Sequence, residues 1–216
     1  SAPFVLWLNP DAEFLEGNMA AVIQWMEANP SVGILGLQIL NPNRSIQLSC
    51  RSFPSYETAF FNRYSFLSRL FPKNSSTEKY LYKNWNHDSI REVDWVSGAC
   101  LLHRRSLIEQ TGGPDEDFFM YLEDTDFCLR AGKAGWKVIY HPGACVMHHI
   151  GGSSRHAAVK TLIERHRSIW LYYKKHMRVS ALFDPFIFAG LWARCLVLLI
   201  PAYLSITKRM KMKSRA

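Results

Sequence analysis

Asn9-Pro10-Asp11-Ala12-Glu13 follows directly on a short apolar run, Phe4 to Leu8. A carboxylate there is a hard oxygen ligand, the kind that holds Mg²⁺ or Mn²⁺ against a diphosphate. In open α/β sheets, ligands bind beyond the carboxyl ends of strands, which is where Asp11 falls. The same residues are also plain turn formers. A second acidic group is Glu123-Asp124-Thr125-Asp126, followed by Arg130. On a helix, Asp126 and Arg130 are at i and i+4 and can pair. A carboxylate at a helix start is stabilised by the free N–H groups and the dipole, so simple capping is one reading. The preceding Phe118-Phe119-Met120-Tyr121 adds an aromatic wall, suited to a sugar ring and its hydroxyls. A third group is His148-His149, followed by Gly151-Gly152-Ser153-Ser154. Neutral imidazole is a frequent metal ligand. Adjacent histidines on a strand point to opposite faces, so at most one joins a given site. The glycines can approach phosphates closely, and they also make an ordinary turn.

The elements that must position these groups read as an α/β chain. Phe4 to Leu8 has no alternation, which predicts a strand buried on both faces. Helical spacing from Asn18 to Glu27 and a second short strand, Val32 to Leu37, complete a strand-helix-strand unit with a crossover. Asn41 to Ser45 is a turn, and Ile46 to Phe53 an extended excursion. Tyr56 to Phe71 is aromatic-rich and helical in pattern. Val93 to His103 reads as one apolar strand with small residues at its centre. A short helix, Ser106 to Gln110, closes on Gly112-Gly113. A helix from Glu123 to Ala134 is capped by Gly135. Strands Lys137 to Tyr140 and Ala144 to His148 flank Pro142-Gly143, and a long helix covers Ala157 to His176.

The 216 residues suffice for one domain with a sizeable core. A 48% hydrophobic and 20% charged composition is globular and excludes disorder. The net charge of +8 is compatible with nucleic acid, a membrane surface or anionic substrates. No nucleic-acid motif is present, and the basic residues are dispersed or gathered in the tail, which argues against a nucleic-acid binder. Cys50, Cys100, Cys128, Cys145 and Cys195 form no C-x-x-C pair and lie mostly in apolar runs. That pattern predicts buried free thiols in a reducing compartment. The N-terminus lacks a basic region followed by an apolar run, so no secretory signal is read there.

In order and spacing, NPD after a strand, VDWVSGACLL, a Gly-Gly turn, FFMYLEDTDFCLRAGKAGWKV and HPGACVMHHIGGSS closely resemble family 2 glycosyltransferases. The nearest subgroup is the bacterial rhamnosyltransferase-like and galactofuranosyltransferase-like enzymes. The resemblance runs from about Phe4 to His176, and E-D-x-D-x-x-x-R is its most specific part. It implies a GT-A-like fold, a partial Rossmann-like sheet with flanking helices. It also implies metal-dependent, inverting transfer from a nucleotide-sugar donor (UDP- or dTDP-sugar) to a saccharide or lipid-linked saccharide in cell-surface polysaccharide synthesis. Under it, Asp124 maps to the catalytic base, with Glu123 beside it. Asp11, His148 and Asn9 map to the Mg²⁺ or Mn²⁺ site. Asn9 stands where the family carries an acid, so Asp11 is the firmer ligand. Trp95, Ser97, Gly98, Tyr121, Asp126 and Arg130 map to the substrate cleft.

The resemblance further implies that a nucleotide-gripping strand and turn should precede Ser1, so the chain reads as truncated. An isolated catalytic portion of this kind is expected not to transfer sugar by itself. The division expected is a partial catalytic domain over residues 1–180 and an apolar, then basic, tail over 181–216. Phe186 to Ile206 is an apolar run interrupted by Arg194 and Pro201, and Lys208, Arg209, Lys211, Lys213 and Arg215 follow. Length and basic flank suit a tilted span or an interfacial helix on anionic lipid. A buried helix of the soluble domain satisfies the same pattern. The expected location is cytoplasmic, at the inner face of the cell membrane. A rival from another class is a non-catalytic fragment or degenerate transferase that serves only as a membrane-docking or binding module.

Overall fold

The computed structural model describes residues 2–56, 75–149 and 158–213. They divide into two compact units, residues 1–115 with 124–150 and residues 116–123 with 151–216. The chain elements are β1 (Phe4–Leu8), β2 (Ala12–Gly17), α1 (Met19–Ala28), β3 (Val32–Leu40), β4 (Cys50–Arg51) and α2 (Ser75–Tyr80). They continue with β5 (Arg91–Glu92), β6 (Trp95–Val96), β7 (Cys100–Arg104), α3 (Arg105–Thr111), α4 (Glu123–Lys133), β8 (Lys137–His148), α5 (Ala158–Tyr172) and α6 (Asp184–Lys213). The helix read over Tyr56 to Phe71 and the Gly151–Ser154 loop lie mostly or wholly outside the described residues.

The first unit is built on a mixed sheet of order β1-β7-β3-β8-β2, with β5 also paired to β8. Only β3 and β8 run parallel; the other pairs are antiparallel. β3 is its centre, an unbroken VGILGLQIL run with eight of nine residues buried. Helix α1, N-capped by the Asn18 side chain on the Ala21 N–H, lays Val22 and Met26 on one face against Leu35, Leu37 and Ile39. Phe127, Cys128 and Ala131 of α4 cover the other face with Ile34, Leu101 and Tyr140. The packing is close: a Cβ on Gly36 would sit 2.6 Å from the Val96 Cβ. Each fully buried aliphatic side chain here stabilises by about 1.5–3 kcal/mol.

Three sequence expectations change. First, β1 is not buried on both faces. It pairs with β7 alone at one end of the strand order, and Leu6 and Leu8 are 43% and 45% exposed. Second, the segment Val93 to His103 is two strands. β6 pairs with β4 in a small second sheet, and β7 enters the main one. The small residues Ser97-Gly98-Ala99 let the chain leave one sheet for the other. Third, Lys137 to His148 is one strand. Its register against β3 jumps from Leu37↔His141 to Gln38↔Cys145, so Pro142, Gly143 and Ala144 form a bulge relative to β3, with Ala144 still paired to Gly17 of β2. The Gly143 N–H donates to His141 Nδ1 (3.0 Å), and a Cβ at Gly143 would strike that ring. The segment Ala12 to Gly17, not read as a strand, pairs with the post-bulge half of β8.

In the second unit, α5 continues into a π-helical turn, Tyr173–Met177. Lys174 and Arg178 meet Asp184 at the start of α6 at 2.7 and 2.8 Å. Phe118, Phe119 and Tyr121 of the acidic-aromatic loop lie under Lys175, Lys160 and Arg165, and Ser168 donates to Met120 O. Helix α6 runs through Pro201 without ending. Its apolar window, Ala181–Pro201, has mean hydropathy 1.8 and is only 6% buried, long and apolar enough to cross a membrane.

Candidate active site

Asp11 and His148, far apart in sequence, are brought together by the pairing of β2 with the end of β8. Ala12 stands opposite His148, and the His149 N–H donates to Asp11 O at 2.9 Å. The Asp11 Oδ1 and His148 Nε2 atoms approach to 3.3 Å, both side chains being more than four-fifths buried. His149 points the other way, toward the exposed Glu13 at 3.7 Å, as the alternation of a strand requires. Asn9 is exposed and is held by its backbone: its N–H donates to Ala99 O and its carbonyl accepts from the Ala12 N–H.

A carboxylate oxygen beside a ring nitrogen is a donor set that suits a divalent cation. Among the described residues no group of three or more His, Cys, Asp and Glu forms a complete cage. Two protein ligands match a cation that shares its shell with substrate phosphates and water. Gln47 adds support from behind: its Oε1 lies 2.9 Å from His148 Nδ1.

Asp124 stands at the start of α4. Its Oδ2 accepts from the Gly98 N–H (2.9 Å), and its Oδ1 from the Thr125 N–H (2.7 Å) and hydroxyl (3.2 Å). Burial pushes its pKa above the ordinary carboxylate value. The Gly98 and Thr125 bonds and the positive charge of Arg51 oppose that rise. A carboxylate raised in this way and fixed by three donors is suited to taking a proton. A Cβ on Gly98 would lie 3.5 Å from that of Asp124, in ordinary van der Waals contact.

The two poles hang on neighbouring peptides. The Asn9 N–H reaches Ala99 O at 3.1 Å, and Gly98 next door holds Asp124. Ser97 supports the same crossing, its N–H on Ser49 O and its Oγ accepting from the Ala99 N–H. Trp95 is 5% exposed and donates Nε1 to Ser52 O. Its indole backs the Arg51 guanidinium at 5.1 Å. Asp126 and Arg130 form a pair of their own, 2.7 Å apart, with Arg130 also donating to Thr111 O and Gly113 O. That clamp ties α4 to the end of α3. Glu123 begins α4, and Tyr121 and Leu122 before it both take left-handed backbone angles, φ 67° and 66°.

Sequence reasoning passed over Gln47 and Arg51. Both fall in the Ile46 to Phe53 excursion, whose polar residues carry no spacing signal. Only the turn back along β3, with the Gln47 N–H on Ile39 O, brings that segment to the site.

The family model described as "Glycosyltransferase like family 2" matches residues 50–179. Over 169 residues the chain is 36% identical to an N-acetylglucosaminyl-diphospho-decaprenol L-rhamnosyltransferase of Mycobacterium tuberculosis (strain CDC 1551 / Oshkosh), covering 78% of this chain and 54% of that protein. It is 25% identical over 191 residues to the rhamnosyltransferase WbbL of Escherichia coli (strain K12), covering 84% and 69%. The chain therefore spans about half the length of its mycobacterial relative. With the family match covering residues 50–179, more than half the chain, this protein belongs to the glycosyltransferase-like family 2.

Proposed function

We propose that this chain carries the base and the metal-binding pair for inverting transfer of a sugar from a nucleotide-sugar donor, UDP- or dTDP-linked, to a saccharide or lipid-linked saccharide. The mycobacterial and Escherichia coli relatives are both rhamnosyltransferases, which favours a rhamnosyl group, and we infer cell-surface polysaccharide synthesis as the setting. The observation that carries the reading is the attachment of Asp124 and of the Asn9–Asp11 loop to the adjacent peptides of Gly98 and Ala99. Asp124 removes the acceptor hydroxyl proton as that oxygen attacks the anomeric carbon from the side opposite the leaving diphosphate. Such proton transfer typically contributes about 10²–10⁴-fold. Asp11 and His148 would hold Mg²⁺ or Mn²⁺, which supplies charge stabilisation to the departing nucleoside diphosphate. Gly98 and Thr125 keep the Asp124 carboxylate aimed. A single base suffices, unlike the carboxylate pair of glycoside hydrolysis.

Membrane association belongs to the same reading. Phe186, Leu196, Val197, Ile200 and Tyr203 of α6 are 62–74% exposed. With Val159, four residues of α6, Leu196, Leu199, Ile200 and Tyr203, line an apolar groove of about 430 Å³. Such a helix with a basic flank suits the inner face of the cell membrane and a lipid-linked acceptor.

The test is transfer of labelled sugar from UDP- and dTDP-sugars to a lipid-linked saccharide by the protein that carries this chain. Asp124→Asn should lower turnover by at least about 10²-fold and leave donor binding largely intact. Near-normal turnover of that variant removes Asp124 from the role.

A further inference from the structure

The turn Asn41–Ser45 and Gln47, two positions beyond it, form a directed relay of hydrogen bonds that ends on His148. Its sense is fixed by one backbone group. The Ser45 N–H, which can only donate, points at Asn43 Oδ1 (3.1 Å), so that atom is an oxygen. The Ser45 hydroxyl donates to the same oxygen at 2.7 Å. Its Oγ is then left to accept from Asn41 Nδ2 at 2.9 Å. That fixes the Asn41 amide, and its Oδ1 accepts from Gln47 Nε2 at 3.1 Å. The Gln47 amide is fixed in turn, and its Oε1 faces His148 Nδ1 at 2.9 Å. An amide oxygen accepts only, so Nδ1 carries the proton.

In neutral imidazole the other nitrogen then carries a lone pair. That nitrogen, Nε2, lies 3.3 Å from Asp11 Oδ1. Two acceptors at this distance repel unless a proton or a metal cation lies between them. We propose that Gln47 is a positioning residue that holds His148 as its Nδ1–H tautomer and so presents a bare Nε2, beside Asp11, to a divalent cation. This rests on the reading of Asp11 and His148 as the metal pair. The Asn41–Ser45 turn is the anchor that keeps the Gln47 amide from flipping. Outer-shell partners of this kind typically change metal affinity by about 10–100-fold when removed.

Two readouts on the chain separate the claims. The first is the imidazole ¹⁵N spectrum of metal-free protein at a pH about two units above the ordinary histidine value of about 6.5. The Nδ1–H tautomer is expected for His148 in the wild type and in Gln47→Glu, whose carboxylate also accepts, and is expected to be lost in Gln47→Leu. An Nε2–H ring in the wild type overturns the proposal without recourse to any variant. The second is Mn²⁺ titration followed by electron paramagnetic resonance and by broadening of the His148 ring signals. Gln47→Leu should bind about 10–100-fold more weakly, with Gln47→Glu restoring affinity. Wild-type binding that Asp11→Asn weakens but Gln47→Leu does not overturns the role of Gln47 and spares the metal pair. Mn²⁺ that never broadens His148 in the wild type overturns the metal pair itself, whatever the tautomer.

Discussion

The proposed base is poised by opposing effects that mutation can separate. Burial raises Asp124, and the Arg51 charge is among the groups that lower it. The reactive form is the carboxylate, so kcat/KM should fall as pH drops through a value above the ordinary 3.8. Arg51→Gln removes a lowering influence and should move that acid limb to higher pH. An unmoved limb in Arg51→Gln would separate the guanidinium from Asp124. The cysteines give a simpler test. All five are free and buried, and burial lifts Cys50 and Cys100 to about 12. Thiolate is the reactive form. A disulfide-exchange reagent at pH 8 should therefore titrate almost no thiol in the native chain and all five in denaturant. Rapid native reaction at Cys50 or Cys100 would contradict their placement in the core.

Among the elements, the contact of β3 with β6 is one that a single methyl group can break. A Cβ on Gly36 meets the Val96 Cβ at 2.6 Å and its Cγ1 at 2.7 Å. Gly36→Ala should cost about 1–3 kcal/mol in urea unfolding, the usual range for an overfilled core. The cost should shrink when Val96→Ala is present, because the two changes share one space. Equal costs in both backgrounds would place the strain elsewhere. The strand read over Val32 to Leu37 from its apolar run is present and runs three residues further, to Leu40, with Gln38 its one half-buried position. Phe4 to Leu8 has the same signature and lies at the end of the strand order. Periodicity alone cannot distinguish these cases, because it records composition and not which neighbours arrive.

At the scale of the whole molecule, α6 is the element suited to a lipid surface. Only 6% of the Ala181–Pro201 window is fully buried, and five cations follow in sequence from Lys208 to Arg215. The protein with and without residues 184–216 should differ in co-sedimentation with anionic liposomes, the longer form binding and high salt weakening it. Equal partitioning of the two would assign the helix another partner.

What the sequence determined by itself was local chemistry: the helix-start acids, the NPD turn after a strand, two histidines of opposite face, buried thiols and the family that owns this order of motifs. These follow from types and short spacings, which a linear chain preserves. The tertiary structure alone decided which of them meet. Asp11 and His148 are 137 positions apart and come within 3.3 Å only because β2 pairs with β8 after a three-residue bulge. Gly98 finds Asp124 only because the apolar segment from Val93 breaks between two sheets at Ser97-Gly98-Ala99. Gln47 finds His148 across 101 positions. Register, bulges and sheet exchange are settled by packing against distant neighbours, and no window along the chain contains both partners.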